Sequence, residues 1–174
     1  MNTTMIAMAT GVVVGLVISA FLLRYMNKNG VMKTEYDEMQ QKARGKAYKY
    51  AFYAMMIFEA ILGILASGEV VLPFNNWTLH FMPIFVGLVV QISYCIWNDA
   101  YIGLNTNTGR FAAISVVIAL VNILVAGLEA SKGNLIVDGI FQASFTNLII
   151  GILFGVIGCE LLLKKIVDNG AKED

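Results

Sequence analysis

Five stretches of this chain, residues 4–25, 50–67, 79–97, 111–128 and 145–163, are almost wholly apolar, and each approaches the length that crosses a bilayer. A helix needs about 20 such residues to span roughly 30 Å of hydrocarbon. The second, third and fourth stretches are slightly short, so they are expected to draw in flanking residues or to stand with little tilt. Lipid offers no partner to open backbone groups, and period-2 alternation is lacking, so the spans are expected to be helices and not barrel strands. The expected fold class is therefore all-α: a polytopic membrane protein of five transmembrane helices, with an N-terminal anchor helix beside a four-helix bundle of two hairpins.

Composition supports this reading. The 174 residues are 58% hydrophobic and 14% charged, against roughly 45–50% and 25% in soluble domains. That excludes a disordered chain, a disulfide scaffold and a soluble enzyme core. Twelve basic and twelve acidic residues cancel, so no net charge points to nucleic acid.

Basic residues are distributed unevenly between the loops. Arg24, Lys28, Lys33, Lys42, Arg44, Lys46, Lys49, Arg110, Lys164, Lys165 and Lys172 fall on one side of the predicted spans, and only Lys132 falls on the other. The positive-inside rule then predicts a cell-membrane protein with its N-terminus outside and its C-terminus cytoplasmic. The first span lacks a basic n-region and a small-x-small cleavage site, so it reads as a retained anchor. No lipidation motif is visible. Tyr48, Tyr50, Tyr53, Trp97 and Tyr101 form an expected inner aromatic belt, with Phe74 and Trp77 marking the outer one.

The organisation predicted is a transmembrane helix over 1–27, a cytoplasmic amphipathic basic segment over 28–49, a four-helix bundle over 50–165 and a tail over 166–174. In the basic segment Asn27-Lys28-Asn29-Gly30 reads as a turn. Thr34 with Asp37 reads as a capping box, and Met32, Tyr36, Met39, Ala43, Ala47 and Tyr50 recur at helical spacing. Glu38, Lys42 and Lys46 stack four apart on the polar face, and Gly45 is the expected bend. Lys42, Arg44, Lys46 and Lys49 fix topology and could also attract anionic lipid headgroups, at about 1 kcal/mol per basic residue.

Small residues predict close helix contacts. Ala7, Gly11, Gly15 and Ser19 line one face of the first span, and Asn147, Gly151, Gly155 and Cys159 line one face of the fifth. The partner of either face can lie in the same chain, in a second copy or in another membrane protein. Cys95 and Cys159 are expected to be free thiols, not a disulfide or a metal pair, and no cofactor is implied.

Glu59, near the middle of the second span, is the residue most in need of an explanation. A carboxyl at that depth costs at least about 2.5 kcal/mol, so such groups usually face protein or water. No basic residue lies in a span core to neutralise it, which favours a protonated carboxyl donating to Gln91 or Asn122. Two readings stand: a structural clamp among these three, or a proton- or cation-handling site. Asp99 and Glu160 are expected at water-accessible cytoplasmic ends, and His80 at the outer end, solvated. Asn2-Thr3-Thr4 and Asn76-Trp77-Thr78 match the glycosylation pattern only weakly. Phosphate-loop, HExxH, GxSxG, CxxC and dinucleotide-binding patterns are missing, so no catalytic residues are nominated.

The second to fifth spans read as two hairpins of equal orientation, with identity too thin to claim a duplication. At Tyr36-Asp-Glu-Met-Gln-Gln-Lys-Ala-Arg-Gly-Lys-Ala-Tyr-Lys-Tyr and Tyr94-Cys-Ile-Trp-Asn-Asp-Ala-Tyr-Ile-Gly-Leu-Asn the chain resembles small multi-spanning membrane proteins of Gram-positive bacteria. The likeness covers roughly 35–165 and implies a bacterial plasma membrane, with no activity to carry over. It suggests that the two motifs meet, with Asp99 pairing to Arg44 or Lys46. Two functional classes follow. One is a non-catalytic component, regulatory or immunity-type, that packs against itself or another membrane protein. The other is a small transporter or oligomeric channel using Glu59. A third, weaker idea is a headgroup sensor working through the basic segment.

Overall fold

The computed structural model describes residues 3–170 and consists of five long helices and one small hairpin. Asn2 of the first glycosylation pattern and Lys172 lie outside these residues. The helices are α1 (Thr3–Met26), α2 (Glu38–Ser67), α3 (Asn76–Trp97), α4 (Thr108–Ser131) and α5 (Phe145–Gly170). All five are long and apolar enough to span a bilayer.

Helix starts follow local capping chemistry. Asp37 caps α2: its carboxylate accepts from the Gln40 N–H (2.7 Å), and the Asp37 N–H donates to Gln40 Oε1 (3.3 Å). This is a capping box three residues later than the expected Thr34–Asp37 pair, because Thr34 and Glu35 are held in a loop contact described below. Asn75 and Asn107 cap α3 and α4 by accepting from the Thr78 and Arg110 N–H groups. α2 runs unbroken through Gly45, and its 30 residues carry it beyond the length a bilayer requires. From Glu38 onward the basic segment and the second span are thus one helix, whereas residues 28–37, which include Met32 and Tyr36 of the expected helix, form a loop.

Three helices end alike. The Ala100 N–H donates to the Cys95 carbonyl (2.8 Å) and the Asp99 N–H to the Ile96 carbonyl (3.2 Å), with Asp99 left-handed at φ 53°. Glu69 (φ 56°) and Gly133 (φ 76°) repeat this at the ends of α2 and α4. The pattern satisfies the last carbonyls of each helix and reverses the chain sharply.

α2 pairs with α3 and α4 with α5, as the hairpin reading predicts, and the two hairpins meet chiefly through α3 and α5. Ile96, Leu153 and Ile157 form the buried centre of that seam. α1 touches the bundle lightly, along α4.

The end opposite the basic loops carries an element missing from the sequence reading. β1 (Ile136–Val137) pairs antiparallel with β2 (Ile140–Phe141). Asp138 (φ 51°) and Gly139 (φ 77°) make the two-residue turn, which suits the right-handed twist of its strands. The hairpin ties the two halves together. The Phe141 N–H donates to the Pro73 carbonyl (2.8 Å) and the Asn75 N–H to the Phe141 carbonyl (2.9 Å). The Phe141 ring packs on Phe74 (5.2 Å) and Phe145 (4.5 Å).

Candidate functional site

The most elaborate polar construction lies at the basic end, where the loop over residues 27–37 locks into the loop over 98–107. The Lys28 N–H donates to the Asn105 carbonyl (2.6 Å), the Leu104 N–H to the Glu35 carbonyl (2.9 Å) and the Asn107 N–H to the Met26 carbonyl (2.8 Å). Asn105 accepts from the Glu35 N–H (2.9 Å) and donates to the Lys33 carbonyl (3.0 Å). The Thr106 hydroxyl donates to Asn27 Oδ1 (3.0 Å). Asn27, Asn105 and Thr106 are all buried. Buried polar groups are tolerated when paired, and paired groups of this kind fix one arrangement of the chain. Gly103 lets the loops close: a Cβ there would strike the Thr34 methyl and stand 2.9 Å from the Glu35 carbonyl oxygen.

Behind this knot lies a cavity of about 180 Å³ whose walls include Tyr36, Arg44, Gln91, Cys95, Tyr101 and Thr106. No aspartate or glutamate lines it. Arg44 enters it half-buried. Its guanidinium donates to the Ala100 carbonyl (3.2 Å) and stacks over the Tyr36 ring at 4.1 Å. Gln40 closes the same junction by donating to the Asp99 carbonyl (2.7 Å). Burial raises the phenol pKa of Tyr36, with Arg44 opposing, and pushes that of Tyr101 up to about 12. Both phenols are therefore neutral hydroxyl groups near neutral pH.

The two motifs expected to meet do meet, through different atoms. Arg44 reaches the backbone carbonyl of Ala100, and the Asp99 carboxylate pairs instead with Lys164 of α5 (3.4 Å). The reason is the left-handed Asp99 backbone, which turns the next carbonyl toward α2. The basic cluster also divides. Lys42 pairs with Glu38 (2.8 Å) as the four-residue spacing predicts, Lys49 sits 5.9 Å from the Tyr53 ring centre, and Lys46 is exposed. Arg44 alone turns inward to the cavity.

Glu59, Gln91 and Asn122 are not brought together. Gln91 belongs to the Arg44 cavity, and Asn122 donates to the Ile118 carbonyl of its own helix (2.9 Å). Glu59 opens instead onto a groove of about 260 Å³ toward the far end, shared with Gly63, Ala66, Asn76 and His80. The clamp expected from similar depth fails because the three side chains lie on differently directed faces.

Glu160 also departs from expectation. It is turned into the α3–α5 seam, where Oε1 accepts from the Ser93 hydroxyl (2.8 Å) and Oε2 is buried without a partner. Ser93 carried no sequence signal beyond its place one turn inside Trp97.

The glycines behave unequally. A Cβ on Gly151 would come 2.7 Å from Ile123 Cγ1, so this residue sets the approach of α5 to α4. Gly87, unremarked in the sequence, does the same for α3 against Met55 of α2. Gly11, Gly15 and Gly155 have nothing within 4 Å. Cys95 is buried, Cys159 is exposed and both are free. Among the described residues no three His, Cys, Asp or Glu side chains gather as a metal site.

Five membrane-length helices, four of them in two antiparallel hairpins and α1 beside them, define a multi-pass α-helical membrane protein. Compared with known protein families, curated proteins and solved structures, the chain matches none.

Proposed function

We propose that this protein is a non-catalytic component of the cell membrane that works by pairing its first helix with a second copy or with another membrane protein. What carries the reading is the state of α1. Gly11 and Gly15 have open space where a Cβ would stand, and the helix is fastened to the bundle at its C-terminal end. There Arg110 donates to the Tyr25 carbonyl (3.0 Å) and the Asn107 N–H to the Met26 carbonyl. In lipid, helices associate through close contact of such small-residue faces, and a helix tethered at one end keeps its face free for a neighbour. The basic end is read as cytoplasmic, from eleven basic residues against one across the alternating loops. The test is the size of the detergent-extracted complex, with and without the double change Gly11→Leu and Gly15→Leu. The reading expects a complex larger than the monomer that the double change dissolves. A monomeric wild type, or a complex indifferent to the leucines, contradicts it.

The shared groove of Glu59 and His80 supports a second reading, a small transporter or oligomeric channel. A carboxyl and an imidazole opening on one cleft can hold a proton or a cation at membrane depth. Proton-coupled flux in proteoliposomes that Glu59→Gln abolishes would favour it over the first.

A further inference from the structure

We propose that the Arg44 cavity binds a phosphate group, presented by a phospholipid headgroup or free in solution. The site is built from both halves of the polar knot, and its chemistry is one-sided. Arg44 brings a permanent positive charge, and Tyr36, Tyr101 and Gln91 add hydroxyl and amide donors beside it. With no acid in the walls, the cavity holds a cation and donors without a matching anion. Arg44 forms no salt bridge among the described residues, whereas Lys42 and Lys164 each have a carboxylate partner. A guanidinium suits phosphate in particular, because its planar fork can donate to two oxygens at once.

Depth agrees with a headgroup. Arg44 lies six residues before Tyr50, where the apolar stretch of α2 begins, and at 1.5 Å per residue that is about 9 Å along the axis. The polar zone of a bilayer leaflet is on the order of 5–8 Å thick, so Arg44 stands at the outer, aqueous edge of the headgroup layer. The same cavity has apolar walls at Leu23, Ile92 and Phe111, a surface that can accept the glycerol end of a lipid. Lys42, Lys46 and Lys49 sit outside it on α2, where they raise the local concentration of anions without entering the site.

The experiment uses the full chain in discs of phosphate-free galactolipid. Phosphatidylglycerol is added in one arm and inorganic phosphate in the other, with retained ligand read by native mass spectrometry. Wild type is expected to keep the phospholipid in preference to galactolipid. Arg44→Gln should weaken retention about tenfold, the usual scale for losing a charged hydrogen-bonding partner. Gln91→Leu leaves the Arg44–Ala100 contact in place and should weaken it severalfold, so it decides the matter if Arg44→Gln fails to fold. Lys165→Gln, an exposed basic residue of the same end, should change little. Retention of phospholipid alone identifies the headgroup as the source, and an equal response to inorganic phosphate identifies the free ion. Either supports the site. No retention in either arm, unchanged retention in Gln91→Leu, or equal losses in Arg44→Gln and Lys165→Gln would overturn it.

Discussion

Gly151 and the pair Gly11/Gly15 look alike in sequence, each set on a four-residue stripe of small residues in an apolar helix, yet they meet opposite environments. Gly151 is pressed against Ile123 and the Ala119 carbonyl of α4, while Gly11 and Gly15 meet nothing within 4 Å. The stripe therefore specifies that a helix can be approached closely and leaves the approaching helix unspecified. Connectivity supplies the difference. α4 and α5 are held together by a short turn and the β1–β2 hairpin, so α5 must pack on α4. α1 is joined to α2 through the 27–37 loop, which is committed to the 98–107 loop and draws only the end of α1 toward the bundle.

That contrast can be broken most severely at the knot itself. Gly103→Val would drive a branched side chain into Thr34 and the Glu35 carbonyl, both held by neighbouring hydrogen bonds. It should cost about 3 kcal/mol, at the upper end for overpacking, measured by steric trapping or denaturant titration in bicelles. Gly151→Leu should cost about 2 kcal/mol in the same assay, because Ile123 can shift in part although the Ala119 carbonyl cannot.

A smaller effect sharpens the comparison from the packed side. The Tyr101 phenol ionises near pH 12 in the folded chain against 10.0 ordinarily. The folded state therefore holds that proton more tightly than the unfolded state. Its contribution is intact below pH 10 and is lost as pH rises toward 12. Ultraviolet titration should show one late tyrosine that Tyr101→Phe removes, and the Phe variant should lose less stability over that alkaline interval. The smallest effect is expected at Gly15→Leu. Thermal unfolding of the isolated chain should not move, although association of α1 should weaken.

Much of the architecture was legible because hydrocarbon solvation demands long apolar helices and leaves little choice of element. The two hairpins and the Glu38–Lys42 pair were visible as length or spacing. What escaped depended on faces and backbone turns. Asp138-Gly139 carried a readable hairpin signal, obscured by the longer apolar runs around it. The Asp99–Lys164 and Ser93–Glu160 contacts join residues more than sixty positions apart, and no local period relates them. Glu59 could be placed by depth, but its neighbours depend on the rotation of α2 about its axis, and His80 entered the groove for that reason. The Arg44 cavity was half visible: the basic residue was singled out, whereas its inward turn depends on a left-handed aspartate in another loop.

The claim on which the reading most depends is that the small-residue face of α1 is left for a partner. A photo-crosslinking amino acid placed in turn at positions 11, 13, 15 and 17 of the full chain, in its own membrane, addresses this directly. Adducts to protein at 11 and 15, with lipid adducts alone at 13 and 17, are the predicted pattern. Lipid adducts alone at all four positions would contradict it.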